Sequence, residues 1–285
     1  MTSMPGRSYA GALQFSDAEQ ELARRLRAHV EALAHAPRNT DLDGAARYIA
    51  AQFPTAREHQ FQSRGRTVRN IESGAGTIVV GAHYDSVPES PGADDNASGV
   101  AVLLELARMQ LPARFVAFAN EEMPYFLTDE MGSQAYAARA RREGERISAM
   151  LSLEMLGFYR DAPGSQRYPP PLGLFYPDRG DFIAFVGDLG ARSLVRRSVE
   201  LFRAYAQFPS EGVAAPGFIP GVSWSDHWSF RQHGYPALMV TDTAFYRYAH
   251  YHLPSDTPEK LDYLRMARVT LGLAALIKEL AHENR

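Results

Sequence analysis

Hydrophobic positions along the chain switch repeatedly between a helical and an extended period. From Ser16 to Ala34, the apolar residues Leu22, Leu26, Val30 and Leu33 fall on one face of a helix. Ser16 and Glu19 open that segment as a capping box. A second helix is predicted from Leu42 to Phe53, and residues 57–72 alternate like a hairpin around Ser63-Arg64-Gly65. Then come five strand-like runs: TIVVGA (77–82), RFVAFA (114–119), AMLSLE (149–154), DFIAFV (181–186) and PALMVTD (236–242). Helical patterns separate them over 98–109, 132–143 and 188–207. After a loop, a short helix starts at Ser225, and Thr257-Pro258 marks the start of a C-terminal helix running to Ala281.

Several strands are apolar throughout, as in strands buried on both faces. Their alternation with helices predicts an α/β fold with a mostly parallel central sheet and helices on both faces. We expect a single domain over residues 1–285, with residues 1–14 as a flexible arm. Residues 161–180, rich in Pro and Gly, read as an irregular surface loop, and no internal repeat is visible.

Composition narrows the function classes. Of 285 residues, 45% are hydrophobic and 22% charged, as in a globular protein. Lys and Arg number 30 against 33 Asp and Glu, a net charge of −3, so there is no basic footprint and no nucleic-acid partner is expected. No apolar run reaches the roughly 18 residues of a membrane span, so no membrane partner is expected. The N-terminus has no apolar signal segment, which predicts a cytoplasmic protein as the sequence stands, or an exported one if a leader has been removed. There is no cysteine, hence no disulfide, no thiolate nucleophile and no thiolate metal site. Any metal must be held by His, Asp and Glu.

Those residues gather where a parallel sheet binds ligands, beyond the carboxyl ends of its strands. TIVVGA is followed by His83-Tyr84-Asp85, and RFVAFA by Asn120-Glu121-Glu122. AMLSL ends on Glu154, and PALMVTD leads on to His252. PGADDNASG (91–99) puts Asp94 and Asp95 in a tight turn before a helix. Taken singly, His83 reads as a structural histidine, Asp94-Asp95-Asn96 as a helix cap, and Glu121-Glu122 as an exposed pair. Together, so many carboxylates are costly to bury unless something positive joins them. Histidine and carboxylate suit zinc, and more of them converge than one tetrahedral ion can use.

The order HYD (83–85), GADDNASG (92–99), EE (121–122), LEMLG (153–157), SDH (225–227) and YHLPSDT (251–257) resembles metallopeptidase family 28. That group of zinc exopeptidases includes bacterial leucyl aminopeptidases and the animal-type glutaminyl cyclases. The resemblance runs from about residue 15 to residue 280, and it implies the phosphorylase/hydrolase-like architecture of zinc exopeptidases. It implies two zinc ions: His83 and Glu154 on one, Glu122 and His252 on the other, and Asp95 bridging both. It further implies that Asp85 orients His83, that Glu121 is the general base, and that the Asp95–Asn96 peptide is cis.

The implied function is hydrolysis of the N-terminal peptide bond of peptides with a free N-terminus, by a water held between the zinc ions and deprotonated by Glu121. The alternatives are a glutaminyl cyclase of the same fold, or a binding module that keeps the fold without catalysis. Two features depart from the family pattern: Glu154 stands where many members carry Asp, and the loop MPYFLTDEMGS (123–133) is longer than in the simplest members. Asp256 reads either as a cap on the last helix or as a brace for His252. Ser225-Asp226-His227 reads as a helix cap or as part of the site's surroundings. The sequence assigns no role to His250, no preferred N-terminal residue and no oligomeric state. Trp224, Trp228, Phe218, Phe230 and Tyr125 are candidates for an apolar pocket wall.

Overall fold

Ser16 begins the first helix as its sequence predicts. In the computed structural model, which describes residues 3–283, the Glu19 amide donates to Ser16 Oγ at 3.3 Å. Glu19 Oε2 in return accepts the Ser16 amide at 2.8 Å. This helix, α1 (Asp17–Leu33), is followed by α2 (Leu42–Gln52) and by the hairpin β1 (Arg57–Ser63) and β2 (Arg66–Gly74). The α/β alternation comes next: β3 (Ile78–His83), α3 (Gly99–Arg108), β4 (Arg114–Phe118), α4 (Gly132–Arg142) and β5 (Ala149–Glu154). The rest of the chain supplies β6 (Ile183–Asp188), α5 (Arg192–Tyr205), β7 (Ser210–Ala215), α6 (His227–Gln232), β8 (Ala237–Thr241) and α7 (Tyr263–Glu283).

The eight strands form one sheet in the order β1-β2-β4-β3-β5-β8-β6-β7. Its centre, β4-β3-β5-β8, is parallel, as expected. Both flanks reverse: β2 pairs antiparallel with β4, and β6 antiparallel with β8. The sheet is therefore mixed, with the parallel strands concentrated where the candidate ligands lie.

Alternate residues of each central strand feed opposite layers, as the two-residue period requires. Ile78, Val80 and Ala82 of β3 pack on the side of α1, α3, α5 and α7. Val79 packs with Tyr136 of α4 and Phe230 of α6 on the other side. Burying each large apolar side chain in these layers contributes about 1.5–3 kcal/mol, which is what the solidly apolar strands encode.

Three expectations need correction. Pro258 does not begin the last helix: Pro258–Lys260 forms a separate 3-10 turn, and α7 starts at Tyr263. Asp262 caps α7 by accepting the Arg265 amide at 3.0 Å. Residues 208–224, expected as loop, contain β7, an edge strand parallel to β6. Its sequence, SEGVAA, lacks the apolar run that marked the others, because one edge pairs with nothing. The segment expected as a flexible arm is tied down over residues 5–8. Arg203 donates to Pro5 O at 3.0 Å, and Ser8 Oγ accepts the Ser210 amide at 2.8 Å. Residues 1 and 2 lie outside the described residues. Among the described residues, no helix is long and apolar enough to cross a membrane.

Candidate metal centre

His83 is the last residue of β3 and Glu154 the last of β5, while Glu121 and Glu122 follow β4 after Ala119 and Asn120. Because these strands are parallel neighbours, all four side chains emerge at one end of the sheet. Asp95 arrives from the turn 93–98 ahead of α3, and His252 from the loop after β8. Asp95 stands between the two histidines, with Oδ1 3.2 Å from His83 Nε2 and Oδ2 3.0 Å from His252 Nε2. Glu154 Oε2 lies 3.5 Å from His83 Nε2, and Glu122 Oε1 lies 3.3 Å from His252 Nε2.

Two sets of ligand-type atoms result: His83, Asp95 and Glu154 in one, and Asp95, Glu122 and His252 in the other. Within each set the atoms lie within 4.8 Å of one another. His83 Nδ1 and Nε2, Asp95 Oδ1, Glu122 Oε1 and His252 Nε2 are buried without a hydrogen-bond partner. Buried polar atoms are ordinarily paired. A cluster of unpaired atoms, all of metal-ligating type, fits bound cations.

The protonation pattern points the same way. Burial and the charges of Glu154, Glu122 and Asp226 outweigh His83 and push the Glu121 carboxyl well above the usual range. Burial and Asp95 raise Glu122 to about 7. Burial disfavours the charged imidazoles, but Glu154 and Glu121 still raise His83, and Asp95 and Glu122 raise His252 to about 10. The cluster is short of positive charge and holds protons that a bound dication displaces.

A scaffold fixes this geometry. Asp85 accepts the amides of Glu121 and Glu122 at 3.0 and 2.9 Å, and its Oδ1 lies 3.4 Å from His83 Nδ1. Asn96 donates to Leu153 O at 2.8 Å and accepts the Met155 amide at 3.0 Å, joining the Asp95 turn to the end of β5. The Asp95–Asn96 peptide is cis. Gly92, at φ +63, tolerates no side chain: a Cβ there would lie 2.2 Å from Asp95 O. Gly99 likewise lets α3 approach β5, since a Cβ would meet Leu153 O at 2.7 Å. The longer Glu154 is held by Ser225 Oγ, which donates to Oε2 at 2.7 Å, so the SDH motif contributes its serine to the site.

Asp256 does neither of the two things expected of it. Its carboxylate accepts the amides of Asp94 and Asp95 at 2.9 and 3.2 Å, bracing the shared turn. His227 bonds Val222 O at 2.8 Å and burial lowers it to about 4, a structural histidine. Asp226 is fully buried and raised to about 7, mainly by burial. His250 braces its own loop through Ser255 Oγ at 2.8 Å. Arg38 escaped the sequence reading altogether. Fully buried, it donates to the carbonyls of Tyr84, Asp85, Pro91, Gly92 and Asp95, joining both ligand-bearing loops. No local pattern in Arg38-Asn39-Thr40 signals this, because all five partners are backbone atoms remote in sequence.

Beside Glu154 opens a largely apolar pocket whose lining includes Phe182, Val222, Trp224, Met239 and Tyr251. Of the aromatic candidates, Trp224 lines it, while Phe230 is core, Phe218 is exposed, and Tyr125 lies under Arg64. Trp228 is half-buried and outside the lining. From the long loop 123–133, Phe126 stands edge-on to the pocket residue Trp224 at 6.4 Å.

A sequence model of Peptidase family M28 matches residues 66–277. The chain belongs to peptidase family M28. The uncharacterized protein YfbL of Escherichia coli is 42% identical over 269 residues, covering 85% of this chain and 82% of that one. A probable leucine aminopeptidase of Arthroderma otae is 30% identical over 233 residues, 75% of this chain. This M28 chain covers 57% of that fungal protein, little more than half its length. Among solved structures, LapB of Legionella pneumophila superposes with a TM-score of 0.70 at 19% identity, over 98% of this chain and 78% of its own. A glutaminyl cyclase of Fimbriiglobus ruber superposes at 0.62 with 18% identity, over 97% and 99%. Both share the fold. BSAP, a zinc aminopeptidase from Bacillus subtilis, is 25% identical with a TM-score of 0.57, over 76% of this chain and 51% of its own. This M28 chain is thus a metallopeptidase-family hydrolase.

Proposed function

We propose that the protein is an aminopeptidase that works with two zinc ions and releases the N-terminal residue of peptides. The observation that carries this reading is the pair of ligand sets sharing Asp95. His83, Asp95 and Glu154 would hold one ion; Asp95, Glu122 and His252 would hold the other. Ions held there would supply the Lewis acidity that acidifies a water and polarises the scissile carbonyl.

Glu121 is the general base. It belongs to neither ligand set, yet its Oε2 lies 3.9 Å from His83 Nε2, at the edge of the cluster. It takes the proton of the attacking water and returns it to the leaving amine. Burial keeps that carboxyl ready to hold a proton. Asp85 fixes the backbone on which both Glu121 and Glu122 ride. The surrounding carboxylates receive the free α-amino group of the peptide, which confines cleavage to the first bond.

Complete ligand sets favour this reading over a non-catalytic module. The shared Asp95 favours it over a cyclase, which needs one ion only. The fungal leucine aminopeptidases and the B. subtilis zinc aminopeptidase support it from similarity. The test compares free and N-acetylated aminoacyl nitroanilides with a peptide bearing N-terminal glutamine, with and without chelator. Release of nitroaniline from the free substrates alone, abolished by chelator and restored by zinc, is expected. Ammonia release from the glutamine peptide with no nitroaniline released would overturn the reading in favour of cyclisation.

A further inference from the structure

The register of the sheet sets a carboxylate at the far end of the pocket from the metal ligands. Glu154 of β5 is level with Thr241 of β8, Thr241 with Ala184 of β6, and Ala184 with Glu211 of β7. Three strand spacings separate Glu154 from Glu211, about 14 Å between backbones. Both residues line the pocket, and the floor between them is apolar, with Phe182, Ala184, Val186 and Met239.

Glu211 faces this floor. Val213, two residues on, packs against the Phe182–Ala184–Val186 cluster, so Glu211 shares its face. A Cβ at the intervening Gly212 would instead meet Val199 of α5.

Glu211 is also under-partnered. Its nearest cation is Arg203, with Nη2 3.6 Å from Oε2, beyond hydrogen-bond distance. Arg203 directs its hydrogen bonds to Ser210, Pro5 and Gly6 instead. The stacked rings of Tyr168 and Tyr176 line the same end, and their hydroxyls are spent on Pro177 O and Gly212 O. Burial raises the Glu211 carboxyl against the opposing charge of Arg203, with a smaller push from Asp181. Paired only loosely with Arg203 and accepting no hydrogen bond from it, this half-buried carboxylate beside two aromatic rings can take a second cation from the pocket side.

We infer that Glu211 selects peptides whose N-terminal residue is lysine or arginine, with the aliphatic stem on the apolar floor and the charged head at Glu211. This rests on the aminopeptidase reading. A long lysine or arginine side chain laid along the floor from the metal end carries its charged head towards Glu211. Leucine stops short of it.

The test measures kcat/KM of the zinc-loaded protein on lysyl, arginyl, norleucyl and leucyl nitroanilides, norleucine being lysine without its charge. Lysine and arginine are expected to exceed norleucine by about tenfold or more, the scale of a charged hydrogen bond. Glu211→Gln should erase that advantage, read as the lysyl-to-norleucyl ratio within one preparation so that any loss common to both substrates cancels. Free lysine against free norleucine as competitive inhibitors of the unaltered protein reads the same preference with no variant. Equal rates on lysine and norleucine, or a lysine preference that survives Glu211→Gln, would overturn the assignment of Glu211 alone. No hydrolysis of any of the four by the zinc-loaded protein would overturn the aminopeptidase reading and this inference with it.

Discussion

Asp85 holds Glu121 by its backbone: the Glu121 amide donates to Asp85 Oδ1 at 3.0 Å, and the same oxygen lies 3.4 Å from His83 Nδ1. One carboxylate therefore ties the end of β3, where one ligand candidate sits, to the segment after β4 that carries the base. The second oxygen takes the Glu122 amide at 2.9 Å. Asp85→Asn keeps the shape but has only one acceptor oxygen for two amides, and it loses the charge that faces the imidazole. We predict zinc affinity lower by about 10–100-fold, the usual effect of removing a group that orients a ligand. A competition titration with a chromogenic chelator measures it; wild-type affinity would count against the assignment.

The adjacent glutamates should separate cleanly. Glu121→Gln is predicted to retain the metals and lose about 10²–10⁴-fold in turnover. Glu122→Gln should instead lose metal, because Glu122 Oε1 lies in the ligand set with His252. Metal analysis and steady-state rates on the same preparations distinguish the two. Near-wild-type turnover of Glu121→Gln would assign the base elsewhere.

Arg38 makes a stability prediction. Replacing it with methionine leaves five carbonyls, four of them buried, without this donor. The cost is expected at about 3–5 kcal/mol in urea unfolding of the metal-free protein, the scale of breaking a buried charged network. Arg38→Lys should not recover it, since a single ammonium cannot reach the span of a planar guanidinium. Full stability of the lysine variant would show that charge alone matters there.

The sequence carried the strands and helices well, and grouped the ligand candidates, for a physical reason. His83, Glu121, Glu122 and Glu154 each sit at or just after the end of an apolar run, so local pattern placed them at the same end of a parallel sheet. Its failures share a cause too. Arg38 bonds to backbone, Asp256 bonds to backbone, and Ser225 reaches Glu154 across the fold. None of these contacts leaves a local periodicity. β7 escaped because an edge strand with one partner needs little apolar sequence, and Pro258 misled because a good first-turn residue also starts a 3-10 turn.

Glu72 gives a pH prediction away from the metal ligands. Burial works against its charge, but His59, Arg57 and Tyr136 outweigh this and hold it at about 2, below its ordinary 4.5. His59 Nε2 lies 2.9 Å and Tyr136 Oη 2.7 Å from its Oε2. A pKa lowered on folding stabilises above the unfolded value, and the contribution is lost as pH falls from about 4.5 towards 2. Glu72→Gln should therefore cost at most about 3 kcal/mol at neutral pH, the order set by the shift, with the difference from wild type nearly gone by pH 2. Chemical denaturation across that range checks it; a constant gap down to pH 2 would deny the linkage.

The central claim is that Asp95 is shared by two metal ions. An anomalous difference map from crystals of the zinc-loaded protein, collected at the zinc edge, tests it most directly. The account predicts two peaks flanking the Asp95 carboxylate, one beside His83 and Glu154 and the other beside Glu122 and His252. A single peak after zinc saturation, or peaks that leave Asp95 uncoordinated, would contradict it.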